Sequence, residues 1–75
     1  MYNIDYELTP MPHYFVEGEI LTNNNGSMYK VIDAKLQAEV LFERVSDGYR
    51  FIANLPKLYI KTYTDGRQEP VIEWA

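Results

Sequence analysis

The 75-residue chain has no cysteine. No disulfide and no thiolate metal site can support it, and the absence fits a cytoplasmic protein. It has one histidine, His13, which leaves too few nitrogen and sulfur ligands for a zinc site. No apolar run approaches the ~18 residues of a membrane-spanning helix. Asp5 and Glu7 interrupt the N-terminus, where a secretory leader would carry a basic stretch and then an apolar one, so neither a leader nor a membrane segment is expected. Cations are few as well: seven Lys and Arg against eleven Asp and Glu, a net charge of −4 and a pI near 4.8. That balance argues against a binder of duplex DNA or of anionic membrane, whose affinity rests on many cationic contacts. Phosphate loops, Gly-x-Ser-x-Gly elbows and His-Glu-x-x-His helices are missing. The two serines, Ser27 and Ser46, fall in turns. The expectation is a protein with no catalytic residues, no metal and no cofactor.

What is present points to strands. The chain is 47% apolar and 15% aromatic, with seven tyrosines. That is too hydrophobic for a disordered segment, and the enrichment in Tyr, Phe, Ile and Val suits pleated, half-buried surfaces. The length implies one domain. A chain this short buries only about 60% of its unfolded surface, so its core is marginal.

The segment Val40–Ala53 reads as a hairpin. Asp47-Gly48 suits a two-residue type I′ turn, which needs positive φ at both central positions. That loop places Arg44 opposite Phe51, Glu43 opposite Ile52 and Phe42 opposite Ala53. Val40, Phe42, Tyr49, Phe51 and Ala53 then share an inner face, with Glu43 and Arg50 diagonal neighbours on the outer one. A loop one residue longer would set Arg44 against Arg50, an unfavourable like-charge pair, and would scatter the apolar set over both faces.

A second hairpin follows. Leu58–Tyr63 and Glu69–Trp74 flank Thr64-Asp65-Gly66, and a three-residue loop with Gly66 left-handed pairs Lys61 with Glu69, Lys57 with Glu73 and Leu58 with Ile72. Leu58, Ile60, Ile72 and Trp74 point inward. Pro70, opposite Ile60, must sit where its missing donor is not needed.

Elsewhere, Tyr2, Ile4, Tyr6 and Leu8 alternate with Asn3, Asp5 and Glu7 as in a half-buried strand, ended by the prolines of Thr9-Pro10-Met11-Pro12-His13. Residues 14–22 form another strand with a bend at Gly18. Asn23–Ser27 is a turn whose Asn25-Gly26 can take positive φ, and residues 28–33 are a further strand. Residues 34–45 read two ways. Leu36, Val40, Leu41 and Val45 fit a helical stripe capped by Asp33, while the β-branched and aromatic content from Val40 favours strand. The fold class expected is all-β, a small antiparallel barrel of five to seven short strands. The alternative is an α+β fold with a helix at 34–45 on an antiparallel sheet.

The run Gly18-Glu19-Ile20-Leu21, followed by Tyr29-Lys30-Val31-Ile32-Asp33, resembles the opening hairpin of SH3-like small barrels, in which a Gly-x-Ile/Val strand leads through a polar loop into a Tyr-x-Val strand. The resemblance covers about a fifth of the chain. The Ala-Leu-Tyr-Asp-Tyr motif and paired tryptophans of eukaryotic signalling SH3 domains are missing, which puts their proline-peptide groove in doubt. In size and composition the chain also resembles short proteins of bacteria, phages and mobile elements.

Each candidate site has a bland counterpart. His13, between Pro12 and Tyr14, reads as a surface loop histidine without the positioned partner that a general base needs. The same-face carboxylates Glu17 and Glu19, and Asp5 and Glu7, read as a solvated outer face, since no Asp-x-Asp-x-Asp loop accompanies them. The strand Lys57–Tyr63 is the best candidate. Lys57, Tyr59, Lys61 and Tyr63 line its outer face, and alternating cations and rings suit a protein partner or self-association. They can also stack the bases of single-stranded nucleic acid, the secondary expectation. The competing reading is lysine gatekeeping of a strand, with Glu69 and Glu73 neutralising both lysines. A small enzyme with a dispersed site stands third and would need a pocket gathering His13 with carboxylates.

Overall fold

The structure, a computed structural model, describes residues 5–75; the expected inward positions Tyr2 and Ile4 lie outside them. Seven strands account for the architecture: β1 (Tyr6–Met11), β2 (Ile20–Thr22), β3 (Met28–Leu36), β4 (Glu39–Arg44), β5 (Arg50–Asn54), β6 (Lys57–Tyr63) and β7 (Gln68–Glu73). They form two antiparallel sheets, ordered β1-β6-β7 and β2-β3-β4-β5. An isolated parallel bridge between Asn23 and Ile72 joins β2 to β7 and so the two sheets to each other. The fold is all-β. Among the described residues there is no helix, and so none able to cross a membrane. The helical alternative at 34–45 is thereby replaced by the end of β3, a turn at Gln37-Ala38 and β4.

That ambiguity has a physical source in β3. Its register against β4 shifts twice, between Val31 and Asp33 and between Asp33 and Leu36. Each shift inserts a residue, bends the strand and re-aims its side chains. The buried positions of β3 are therefore Tyr29, Val31 and Ala34, a spacing of two and then three. The second interval imitates helical periodicity. Of the supposed helical stripe, Val40 is buried, whereas Leu36 and Val45 are exposed.

The core lies on the inner face of the four-stranded sheet. Phe42, Val40 and Val31 are fully enclosed, with Tyr29, Ala34, Ala53, Ile72 and Phe15 around them and Leu21, Phe51 and Trp74 packed against the cluster. Tyr29 meets Phe42, Phe51 and Trp74 edge to face at 6.2, 5.5 and 5.1 Å, a preferred aromatic geometry.

The β4–β5 hairpin keeps its expected faces but not its register. Phe42 pairs with Phe51, Val40 with Ala53 and Glu43 with Arg50, a displacement of two residues from the two-residue-loop alignment. The loop spans residues 45–48, closed by Arg44 N–H to Tyr49 O at 2.7 Å and Gly48 N–H to Arg44 O at 2.8 Å. Only Gly48 takes positive φ, at 75°. Asp47 does not take positive φ, and its carboxylate accepts from the Arg44 guanidinium and the Tyr49 N–H instead. Because the side-chain period is two, the shift preserves both faces. Glu43 and Arg50 become direct partners at 2.9 Å. Tyr49 lies past the end of the core and is exposed, stacked on Phe51 at 6.0 Å.

The β6–β7 hairpin has the expected register throughout: Lys57 with Glu73, Leu58 with Ile72, Ile60 with Pro70 and Lys61 with Glu69. Gly66 is left-handed at φ 92° in the three-residue loop. Tyr63 N–H donates to Arg67 O, which makes the odd-numbered β6 residues the hydrogen-bonded partners of β7. Pro70 accordingly turns its donorless nitrogen away from β6.

Two expected boundaries move. The Thr9–His13 stretch does end β1, but at Pro12 and not at Pro10: the strand runs through Pro10 to Met11 against β6. The Thr64 N–H donates to Asp5 O, so the alternation places Glu7, Thr9 and Met11 in the ladder and leaves Pro10 facing the open edge, where no donor is needed. The strand expected over 14–22 shrinks to Ile20–Thr22. Ahead of it, Phe15 enters the core on an irregular segment held by Gln37: Phe15 N–H donates to Gln37 Oε1 at 2.7 Å, and Gln37 Nε2 donates to Phe15 O at 3.0 Å and Ala34 O at 2.9 Å. One side-chain amide thus supplies the pairing that a neighbouring strand would otherwise give.

Candidate functional site

Register decides which residues share the outer face of the β1-β6-β7 sheet. Opposed residues of antiparallel strands point to the same side. Tyr6 pairs with Tyr63, Leu8 with Lys61 and Pro10 with Tyr59; Tyr59 pairs with Val71 and Lys61 with Glu69. Lys57, Tyr59, Lys61 and Tyr63 therefore do share a face, with Tyr6, Leu8 and Pro10 on one flank and Glu69, Val71 and Glu73 on the other. Val71 is only 2% exposed, so this face has a small apolar floor of its own, separate from the main core.

The four candidates do not act as one cluster. Lys61 and Tyr63 come together with Tyr6. The Lys61 ammonium stands 4.3 Å from the Tyr6 ring centre and 4.9 Å from that of Tyr63, and the two rings are 6.4 Å apart. Arg67 covers Tyr63 at 4.4 Å. Tyr59 is half-buried between Pro10 and Val71. Lys57 is exposed and borders a different cleft of about 410 Å³, walled by Pro10, Pro12, Phe15 and Pro56.

The expected neutralisation of the lysines by Glu69 and Glu73 does not occur. Among the described residues no carboxylate lies within ion-pair distance of Lys61 or Lys57, although each faces a glutamate across the strands. Glu69 instead accepts the Tyr63 hydroxyl at 2.6 Å, and Arg67 is held by Asp65 at 2.9 Å. Two Arg67 groups, the backbone N–H first and then the guanidinium, lower the Asp65 pKa below its ordinary value. Lys61 is left as a half-buried cation resting on rings, an arrangement worth about 0.5–1 kcal/mol at an exposed site.

The β2–β3 loop completes the site. Asn23 accepts the Gly26 N–H through its backbone and the Asn25 and Ser27 N–H groups through its side chain, which braces the loop against the sheet. Between the loop and Lys61, Tyr63, Glu69 and Val71 lies an open cleft of about 490 Å³. Asn24 Nδ2 donates to the Tyr6 hydroxyl at 3.0 Å, and its Oδ1 is buried with no donor. A cation and two tyrosine rings thus converge at one end of the sheet, beside a cleft bordered by the Asn23–Gly26 loop.

His13 is an exposed loop histidine, as expected, but it has a partner. Its Nε2 is 2.9 Å from Glu19 Oε1, its ring meets Phe15 edge-on at 4.9 Å, and Glu19 also accepts the Val16 N–H. The contact ties the two ends of the Phe15 segment together. No carboxylate lines the cleft beside His13. Among the described residues no three His, Asp or Glu side chains gather as a metal site requires.

Tyr6, Asn24 and Arg67 were not evident as site residues from the sequence. Arg67 could have been found from the Asp65-Gly66 turn, which folds it back over Tyr63. Tyr6 and Asn24 arrive through contacts distant in sequence. The chain matches none of the protein families, curated proteins or solved structures compared with it.

Proposed function

We propose that the protein is a non-enzymatic binding module that takes a protein partner on the outer face of its β1-β6-β7 sheet. One observation carries the reading: Lys61 faces Glu69 yet lies over Tyr6 and Tyr63 with no carboxylate partner. A lysine serving only to keep the sheet face soluble would be free to extend into water or pair with the glutamate opposite. Here it is stacked beside an open cleft. An extended segment carrying an acidic side chain for Lys61 meets that requirement. The tyrosines supply contact area at low entropic cost.

The SH3-like likeness of residues 18–33, the cytoplasmic setting suggested by a cysteine-free chain, and a bacterial or phage origin belong to the same proposal. The test is co-purification. Tyr59→Ser with Tyr63→Ser, and separately Lys61→Glu, should each remove a specific partner while the protein stays folded. An unchanged set of partners with intact folding removes the assignment.

A second reading, single-stranded nucleic-acid binding, draws on the Tyr63 ring lying between Lys61 and Arg67, since aromatic platforms flanked by cations stack bases. Glu69, Glu73 and the net charge of −4 count against it. It requires a mobility shift with oligonucleotides that weakens as salt rises; no shift at low salt eliminates it.

A further inference from the structure

The two outer edges of the fold are β1 and β5. Among the described strands, β1 touches β6 alone and β5 touches β4 alone. The β1 edge is blunted by Pro10. The β5 edge has no proline, no bulge and no inward-pointing charge, the devices that keep edges from pairing. Arg44 and Tyr49 are a hydrogen-bonded pair. The alternation of the antiparallel ladder then directs the N–H and C=O of Phe51 and Ala53 toward β4, and those of Arg50, Ile52 and Asn54 outward. Of these, the Asn54 carbonyl accepts the Ala75 N–H at 3.0 Å, which uses one of its two lone pairs.

Three large apolar side chains crowd this edge: Tyr49, Ile52 and Leu55, exposed by 57, 61 and 64%. Leu55 is also the sole non-glycine among the described residues with positive φ, at 48°, a conformation costing roughly 1–2 kcal/mol. The two-residue Leu55-Pro56 turn from β5 to β6 sets this conformation, with the Leu55 N–H donated to Ala38 O at 2.8 Å, and it leaves the leucine side chain in water at the end of the edge.

We propose that β5 pairs with β5 of a second copy of this chain, antiparallel about a two-fold axis at Ile52, so that the two four-stranded sheets run on as one. Self-complementarity selects the occupant and the register. Outward-pointing groups exist only at even-numbered residues, so the axis can fall at Phe51, Ile52 or Ala53. An axis at Phe51 opposes Ile52 to Arg50 and Leu55 to Asp47. An axis at Ala53 opposes Tyr49 to Lys57 and Ile52 to Asn54. The axis at Ile52 alone opposes Ile52 to Ile52, Tyr49 to Leu55 in both directions, and Arg50 to the neutral Asn54. Tyr49 and Leu55 stand three residues either side of Ile52, which is what an isologous contact needs. The new bonds are Ile52 N–H to Ile52 O and Asn54 N–H to Arg50 O, each made twice by symmetry. The Arg50 N–H takes the remaining lone pair of Asn54 O beside Ala75. This surface is separate from the Lys61–Tyr63 face and does not depend on the function proposed for it.

Size-exclusion chromatography with light scattering over a concentration series tests the pairing on the full chain. The unaltered protein is expected to pass from monomer to dimer with rising concentration. Ile52→Lys sets two cations against each other at the axis and should weaken the dimer by about tenfold or more. Leu55→Gly removes the apolar partner of Tyr49 while relieving the positive φ, so it should weaken the dimer yet raise the melting temperature of the monomer. Tyr63→Ser should leave the dimer intact. A wild-type monomer at every concentration up to about 1 mM, an undiminished dimer in a folded Ile52→Lys protein, or dissociation by Tyr63→Ser would each overturn the proposal.

Discussion

The β4–β5 and β6–β7 hairpins are both antiparallel, both turn at an Asp-Gly, and both carry a cation and a glutamate directly across the strands on their outer face. Their side chains behave differently. In β4–β5, Arg50 and Glu43 form the ion pair their positions allow, at 2.9 Å. In β6–β7, Lys61 and Glu69 face each other and do not pair: the ammonium lies on two tyrosine rings, and the carboxylate takes the hydroxyl of one of them. The first hairpin also contributes Val40, Phe42 and Ala53 to the core, while the second contributes Ile72. The difference teaches that opposition across a ladder offers a contact but does not compel it. Where aromatic side chains share the face, the cation finds a stacked position and the cross-strand pair is given up. The four-stranded sheet is organised by what it buries, and the three-stranded sheet by what it leaves accessible.

Substitutions in the two hairpins should separate these roles. The largest effect is expected at the first. Phe42→Ala opens a cavity at a fully buried aromatic cluster and should cost about 3–5 kcal/mol. That is a large share of the 5–15 kcal/mol typical of a folded domain. Urea unfolding followed by circular dichroism should show the midpoint collapse.

Gln37→Ala comes next. It removes the three hydrogen bonds that seat the Phe15 segment on the four-stranded sheet, at about 2 kcal/mol. Hydrogen exchange should be accelerated at the Phe15 amide more than at the β6–β7 amides. Equal acceleration at both would mean that the segment does not depend on Gln37.

A smaller, pH-dependent effect is expected at the β4–β5 turn. The Arg44 guanidinium first, and the Tyr49 N–H second, hold the Asp47 carboxyl at about 2, down from 3.8. A depressed carboxyl stabilises the fold above its unfolded pKa and loses that contribution as pH falls through the folded one. The Asp47 contribution is therefore complete above about 4 and disappears toward pH 2. Asp47→Asn should flatten the acid side of the stability curve between pH 4 and pH 2, measured against wild type by urea unfolding at each pH. Parallel curves would show that the turn contact carries no linkage.

The smallest effect is expected on the accessible sheet. Lys61→Met keeps the stem and removes the charge, and thermal unfolding should move by no more than about 0.5 kcal/mol. A loss comparable to that of Gln37→Ala would make Lys61 structural and dissolve the contrast between the hairpins.

How much of this was legible beforehand depends on sequence separation. The β6–β7 register follows from matched charges and matched apolar positions on either side of a recognisable turn. The inner faces of β4 and β5 follow from alternation, and they survive a two-residue change of register because the period is two. The register itself was obscured because Asp47-Gly48 suits a tight turn, and nothing local announces that Arg44 and Asp47 will close a wider one. The bulges of β3 hid its true inward set, since Val31 and Ala34 stand at a helical interval. The pairing of β1 with β6 joins residues more than forty positions apart and has no local signature. So the candidate strand Lys57–Tyr63 could be chosen from its own alternation, whereas its neighbours Tyr6 and Asn24 could not.

Co-purification with the Tyr59→Ser, Tyr63→Ser double variant tests the central claim most directly, because those positions line the accessible face and lie outside the main core cluster. The expected result is loss of a partner that wild type retains, with the variant still folded by circular dichroism. The same partners in the same amounts from both proteins would contradict the claim and return the face to the role of a solvated strand surface.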